Sequence, residues 1–213
     1  MQYTVNERDK ILDLTHSKFI REGFYRTSMD EIARDLQMSK KTIYKYFPSK
    51  ENLLEAVCDK RSKLVQSILD NIVDSDKDSV TKFIHILNVV KKNAMNCSDS
   101  WFRDLRLHAP HLHRKVVEIR TKKINQIMTK LIEQGKKEKM IENLPAVVLI
   151  TAYLGAIEGV TNAEFIMNSK FTMQDVMRIT AEIFLNGFLT PLGREKYSNT
   201  KKLLADLTQT IPA

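Results

Sequence analysis

Between Gln37 and Lys50 the chain places four lysines, two tyrosines, one threonine and no acidic residue. That mixture suits a polyanion. Ammonium groups neutralise phosphates, tyrosine hydroxyls donate to phosphate oxygens, and a threonine reaches a base edge or a thymine methyl. The residues that could do this are Ser39, Lys40, Lys41, Thr42, Tyr44, Lys45, Tyr46 and Lys50, with the hydroxyls of Thr27 and Ser28 upstream. Ser49-Lys50-Glu51 opens a further helix, whose backbone N–H groups and lysine would form a second phosphate contact. The plain alternative is a basic, solvated helix in a structural hairpin.

Two short helices must position these groups. Met29, Ile32, Ala33 and Leu36 fall at i, i+3, i+4 and i+7, one apolar stripe. Thr27 and Ser28 are N-cap candidates, with Asp30 and Glu31 as their third residues in a capping box. Ser39 caps a second helix from Lys40 to Phe47 that buries Ile43 and Phe47. Caps about eleven residues apart, a very short first helix and a basic second one describe a helix-turn-helix, its recognition helix second. Residues 6–20 read as a preceding helix ended by Gly23, completing a three-helix unit.

This stretch resembles the DNA-binding end of the tetracycline-repressor (TetR) family of bacterial regulators. The resemblance rests on Gly23-Phe24, Thr27-Ser28, Ile32-Ala33, Met38-Ser39, Thr42-Ile43-Tyr44, Tyr46-Phe47 and Ser49-Lys50-Glu51 with Leu53, over about residues 8–55. Two positions depart from the family pattern. Gln37 stands where the turn usually has glycine, at a cost of roughly 1–2 kcal/mol if φ stays positive. Lys41 puts a long cation where a glycine is frequent, so the operator sequence cannot be carried over from relatives.

Composition agrees with a helical globular protein. The 213 residues are 43% hydrophobic and 28% charged, with only six glycines and five prolines. Net charge is +8. Residues 1–50 carry ten basic against seven acidic residues, and residues 114–139 nine against three, the latter read as a solvated helix face. Cys58 and Cys97 lack metal spacing and fit a reducing cytoplasm. The N-terminus has no signal-peptide core, and the longest nearly apolar run, residues 146–157, is too short for a membrane span. The expected fold is all-α, with an N-terminal three-helix DNA-binding domain over residues 1–50. A larger helical domain for ligand binding and dimerisation follows over residues 51–213.

In that second region a long helix over residues 51–73 has Leu54, Val57, Leu64, Ile68 and Ile72 as its inner face. Helices follow over about residues 80–95, 101–108, 111–135, 145–167 and from Thr172 to Gly187, then a polar tail with a short helix near residues 201–207. The helix from Pro145 is apolar on opposite sides. Small residues Ala152, Gly155, Ala156, Gly159 and Ala163 face one way, and Val147, Ile150, Leu154 and Ile157 the other. Such a helix must be covered twice. The family resemblance implies a four-helix interface between two copies, to which Ile183 and Phe184 of the last long helix would belong.

The resemblance also implies a pocket for a small apolar or amphipathic effector. Its candidates are Phe83, Leu87, Trp101, Phe102, Leu105, His113, Val117, Tyr153 and Ile157, most of which would serve equally as ordinary core. His108, His111 and His113 lack the ligand number and carboxylate support of a metal site. No Gly-rich phosphate loop, His-Glu-x-x-His or Gly-x-Ser-x-Gly motif occurs, so neither catalytic residues nor a cofactor are expected. The sequence therefore points to a ligand-released repressor that binds a palindromic operator in double-stranded DNA as a homodimer. The alternatives are a helical small-molecule-binding module or a ligand-dependent activator.

Overall fold

The computed structural model describes residues 6–96 and 99–209, without the side chains of residues 91, 93–96, 99, 100, 102, 163, 174 and 203–209. The expectations for Phe102, Cys97 and Ala163 concern side chains outside that description. The described chain is helical, as expected, with one isolated bridge between Ile141 and Leu189. Among the described residues no helix is long and apolar enough to cross a membrane. The chain divides into two compact units, Met1–Ile68 with Ala94–Lys122, and Leu69–Asn93 with Lys123–Ala213.

In the first unit, α1 (Glu7–Glu22) starts at Asn6, whose side chain accepts from the Arg8 N–H, and stops at Gly23, φ 88°. Ile11, Leu12, Thr15, Lys18 and Phe19 form its buried face. α2 (Met29–Asp35) and α3 (Lys40–Tyr46) are seven residues each. Ser28 and Glu31 make a complete capping box for α2, while Ser39 caps α3 by accepting from the Thr42 N–H at 3.0 Å. The Met38 N–H donates to the Ala33 carbonyl and the Gln37 N–H to the Arg34 carbonyl, a Schellman turn. Gln37 supplies its left-handed residue, φ 53°.

The core around these helices is larger than a three-helix unit. Leu53, Leu54, Val57 and Cys58 of α4 (Lys50–Val73) join it. So do Trp101 and Leu105 of α6 (Asp99–His108) and Leu112 of α7 (Pro110–Lys137). Three short helices close little apolar surface by themselves, so the compact unit extends well past residue 50. Burial pushes the Cys58 thiol up to about 12, which keeps it protonated and inert. The apolar stripe of α4 is only partly covered: Leu64 is 50% exposed and Ile68 38%.

The second unit contains most of α5 (Ser79–Asn96), the latter part of α7, and all of α8 (Ala146–Thr161), α9 (Ala163–Asn168), α10 (Met173–Phe188) and α11 (Pro191–Gln209). Asn162 ends α8 and caps α9 through the Phe165 N–H, so the single helix expected over residues 145–167 is broken there. Thr172 and Asp175 form a capping box at the start of α10. Gly187 lies inside α10 rather than ending it. Pro191 opens a 19-residue helix where a polar tail was expected. Proline suits a first helical turn, where its missing N–H has no partner to lose.

α7 also closes with a Schellman turn, built on Lys139 at φ 57°. The segment beyond it clasps the start of α11: Glu142 N–H donates to the Phe188 carbonyl and Thr190 N–H to the Met140 carbonyl. A Cβ on Gly193 would sit 2.1 Å from the Met140 oxygen. Gly193→Ala should therefore destabilise the chain by roughly 1–3 kcal/mol, the usual cost of forced overpacking, seen as a lower midpoint in urea unfolding. Gln37→Gly should act the other way, because glycine bears no steric penalty at positive φ. A gain of about 1 kcal/mol is expected, less the added chain entropy of the unfolded state.

Candidate nucleic-acid interface

α3 is held by two side chains and otherwise faces outward. Ile43 is fully buried and Phe47, its C-terminal cap, is nearly so. Lys40, Lys41, Tyr44 and Lys45 are exposed, and Thr42 and Tyr46 are half-buried. Lys41 and Lys45 have no carboxylate partner among the described residues; the Lys45 ammonium lies 6.0 Å from the Tyr46 ring centroid. These cations and the Tyr44 side chain share the solvent-facing side of α3.

The other expected residues are already engaged. Ser39 and Thr42 share a hydroxyl–hydroxyl hydrogen bond of 2.8 Å. Lys40 pairs with Asp30, and the Tyr46 hydroxyl donates to Glu7 at 2.8 Å, a bond that raises its pKa. Ser28 is exposed but uses its hydroxyl in the capping box. Thr27 is 1% exposed and donates to the Gly23 carbonyl at 2.8 Å, so it supports the fold and does not reach the interface. Two adjacent hydroxyls look alike in sequence; only Ser28 has the register to cap α2.

Lys50 also departs from the expected phosphate contact. Its ammonium donates to the Tyr25 carbonyl at 3.0 Å and lies 4.6 Å from the Phe24 ring centroid. Burial pulls its pKa down. The same Tyr25 donates its backbone N–H to buried Asp104 at 2.9 Å and stacks on His108, ring centroids 3.8 Å apart. The loop before the helix-turn-helix is thus gripped from α4 and α6 at once. Nothing in the sequence marked Tyr25, because its partners lie 25 and 79 residues away. Arg8, exposed and 5.2 Å from the Phe47 ring centroid, is a further cation beside α3 that sequence reading passed over.

The expected ligand residues fall in both units. Trp101 and Leu105 belong to the first core, with Trp101 stacked on Phe19 at 6.3 Å. His113 and Val117 are half-buried in that unit. Phe83, Leu87, Tyr153 and Ile157 belong to the second, where Phe83 packs on Phe188 and Tyr153 edge-on against Phe184. A groove of about 600 Å³ in the second unit is lined by Asp70, Val73, Lys123, Asn125, Gln126, Ile127, Thr129 and Lys130, none of them an expected ligand residue. His111 faces Glu51 at 3.3 Å while His108 stacks on Tyr25.

Of the expected interface residues, Ala152, Gly155, Gly159 and Ile183 are exposed, and Ala156 and Phe184 half-buried. Among the described residues, nothing outside their own stretch of helix lies within 4 Å of where a Cβ would stand on Gly155 or Gly159. The large-residue side is covered at Ile150 but not at Val147, which is 70% exposed.

Residues 11–57 match the family described as bacterial regulatory proteins, tetR family. Along most of its length the chain is similar to the HTH-type transcriptional regulator YvaF of Bacillus subtilis, 21% identical over 80% of this chain and 90% of that one. It is also similar to the nucleoid occlusion factor SlmA of Vibrio vulnificus, 24% identical over 74% and 83%. The fold is shared with a TetR/AcrR-family regulator of Thermobifida fusca, TM-score 0.63 at 20% identity over 84% and 97% of the two chains. A protein of Saccharomonospora viridis crystallised with choline gives TM-score 0.68 at 16% identity over 86% and 97%. The outward, basic α3 lies inside this tetR-family segment, and the relatives matched along most of the chain include a transcriptional regulator.

Proposed function

We propose that the chain is a cytoplasmic repressor that binds a palindromic operator as a homodimer and leaves it when a small apolar or amphipathic effector binds. The observation that carries this reading is α3 itself, a capped helix with Ile43 sunk in the core and Lys41, Tyr44 and Lys45 turned outward. Lys40, Lys41, Lys45 and the tyrosines serve the phosphate backbone, and Lys41 and Thr42 help choose base pairs. One such helix reads few base pairs. A twofold pair reads two half-sites about one helical turn apart.

The open apolar face of α8 and α10 supports the pairing. It exposes Val148, Ala152, Gly155, Gly159 and Ile183, and exposed apolar patches mark interaction sites. The effector site draws on Phe83, Leu87, Tyr153 and Ile157, with the hydroxyl of the half-buried Tyr153 as a polar handle. The relative crystallised with choline supports the reading that a protein of this fold takes a small organic ligand. Release requires only that the effector bind the DNA-incompetent arrangement more tightly than the competent one.

Selection of binding sites from random duplexes should return a palindrome, and recovery of no sequence preference would overturn the operator reading. Lys41→Ala and Lys45→Ala should each lower the salt slope of duplex binding by about 1. Lys50→Ala should instead leave the slope unchanged and lower the melting temperature, because its partners are internal. Ile183→Glu should convert a dimer to a monomer in analytical ultracentrifugation and abolish palindrome binding. A wild-type chain that sediments as a monomer, free and on DNA, contradicts the dimer.

A further inference from the structure

Three lysines stand on α3, and one of them is held by an anion of the same chain. The Lys40 ammonium lies 2.8 Å from one Asp30 carboxylate oxygen and 2.9 Å from the other. Both side chains are open to solvent, Lys40 at 49% and Asp30 at 71%. Asp30 has no other partner among the described residues. The capping box that starts α2 is closed by its neighbour Glu31, which takes both the Ser28 N–H and the Ser28 hydroxyl. Tyr46 is also tied to a carboxylate, Glu7, but its hydroxyl is neutral, so no ion pair forms there.

A carboxylate oxygen and a phosphate oxygen present the same kind of acceptor to an ammonium group. Lys40 has enough N–H donors for both, yet two anions gathered on one cation repel each other at close range. Resting on the reading that Lys40 meets the DNA backbone, we propose that Asp30 is an internal competitor of phosphate for Lys40, positioned on α2 to weaken the grip of the recognition helix on DNA. The contact exchanges one anion for another, so Lys40 contributes less to binding than Lys41 or Lys45, which have no such partner to leave. An exposed pair is a weak competitor, and the effect is a few-fold change in affinity, largest at low salt.

The test measures anisotropy of a labelled duplex from the site selection with wild type, Asp30→Asn, Lys40→Ala and the double variant. Each is measured at about 0.05 and 0.15 M salt. Asp30→Asn should bind about two- to five-fold more tightly at the lower salt and lose most of that gain at the higher. In the Lys40→Ala background the same substitution should change nothing. Unaltered or weaker binding by Asp30→Asn, with its melting temperature unchanged, overturns the proposal. So does an equal gain with and without Lys40, which would mean that Asp30 merely repels DNA from a distance. If Lys40→Ala binds as wild type does, the backbone contact fails and the competitor falls with it, while duplex binding through Lys41 and Lys45 stands. Asp30→Ala is a second variant for the same cycle should asparagine disturb α2.

Discussion

A helix of seven residues does not hold its shape in water. Nucleation costs more than so few hydrogen bonds return, and isolated helices become viable only at about twice that length. α3 therefore exists because Ile43 and Phe47 are sunk in the core and Ser39 supplies an N-terminal partner. That constraint dictates which side chains are free. Once Ile43 points inward, Lys41, Tyr44 and Lys45 have only the outer face left to occupy. The Schellman turn at Gln37 fixes the other variable, the direction in which α3 leaves α2.

Lysine plays two opposed parts in this chain. Lys18 is buried and bonded to Asp35 at 2.7 Å and Glu22 at 3.0 Å, tying α1 to the end of α2, and the Asp35 bond raises its pKa. Lys82 is buried and donates to the Val73 carbonyl and to Gln134, closing the end of α4. Lys50 grips Tyr25. A cation taken out of water needs such acceptors or it destabilises the fold. The charge that remains for a polyanion is what these internal uses leave over, so net charge alone overstates the DNA-binding surface.

The second unit shows the same logic with apolar groups. Its interior is satisfied by Phe83, Leu131, Ile132, Leu185 and Phe188, yet α8 and α10 keep Val147, Val148 and Ile183 in solvent. Glycines at 155 and 159 lower the surface of α8, and among the described residues no other part of the chain packs against them. In the proposed dimer one patch meets its own copy across a twofold axis, and small residues allow the backbones to approach. The same symmetry would set the spacing of the two recognition helices.

Local chemistry was enough to narrow the α2 cap to Thr27 or Ser28, and to locate the cap at Ser39, the start of a helix at Thr172, the helical class and the outward face of α3. Each of those depends on residues within one or two turns, where spacing and side-chain type already carry the physics. What lay beyond that range came from tertiary contacts. Thr27 turned inward because Gly23 offered it a carbonyl, Lys50 was taken by Tyr25, and Trp101 settled on Phe19 in the first core. Pro191 began a helix because the clasp with residues 139–142 holds the chain where a helix fits. A side chain's type limits what it can bond to. Which partner it meets is decided by chain segments far away in sequence, and only the folded structure brings those together.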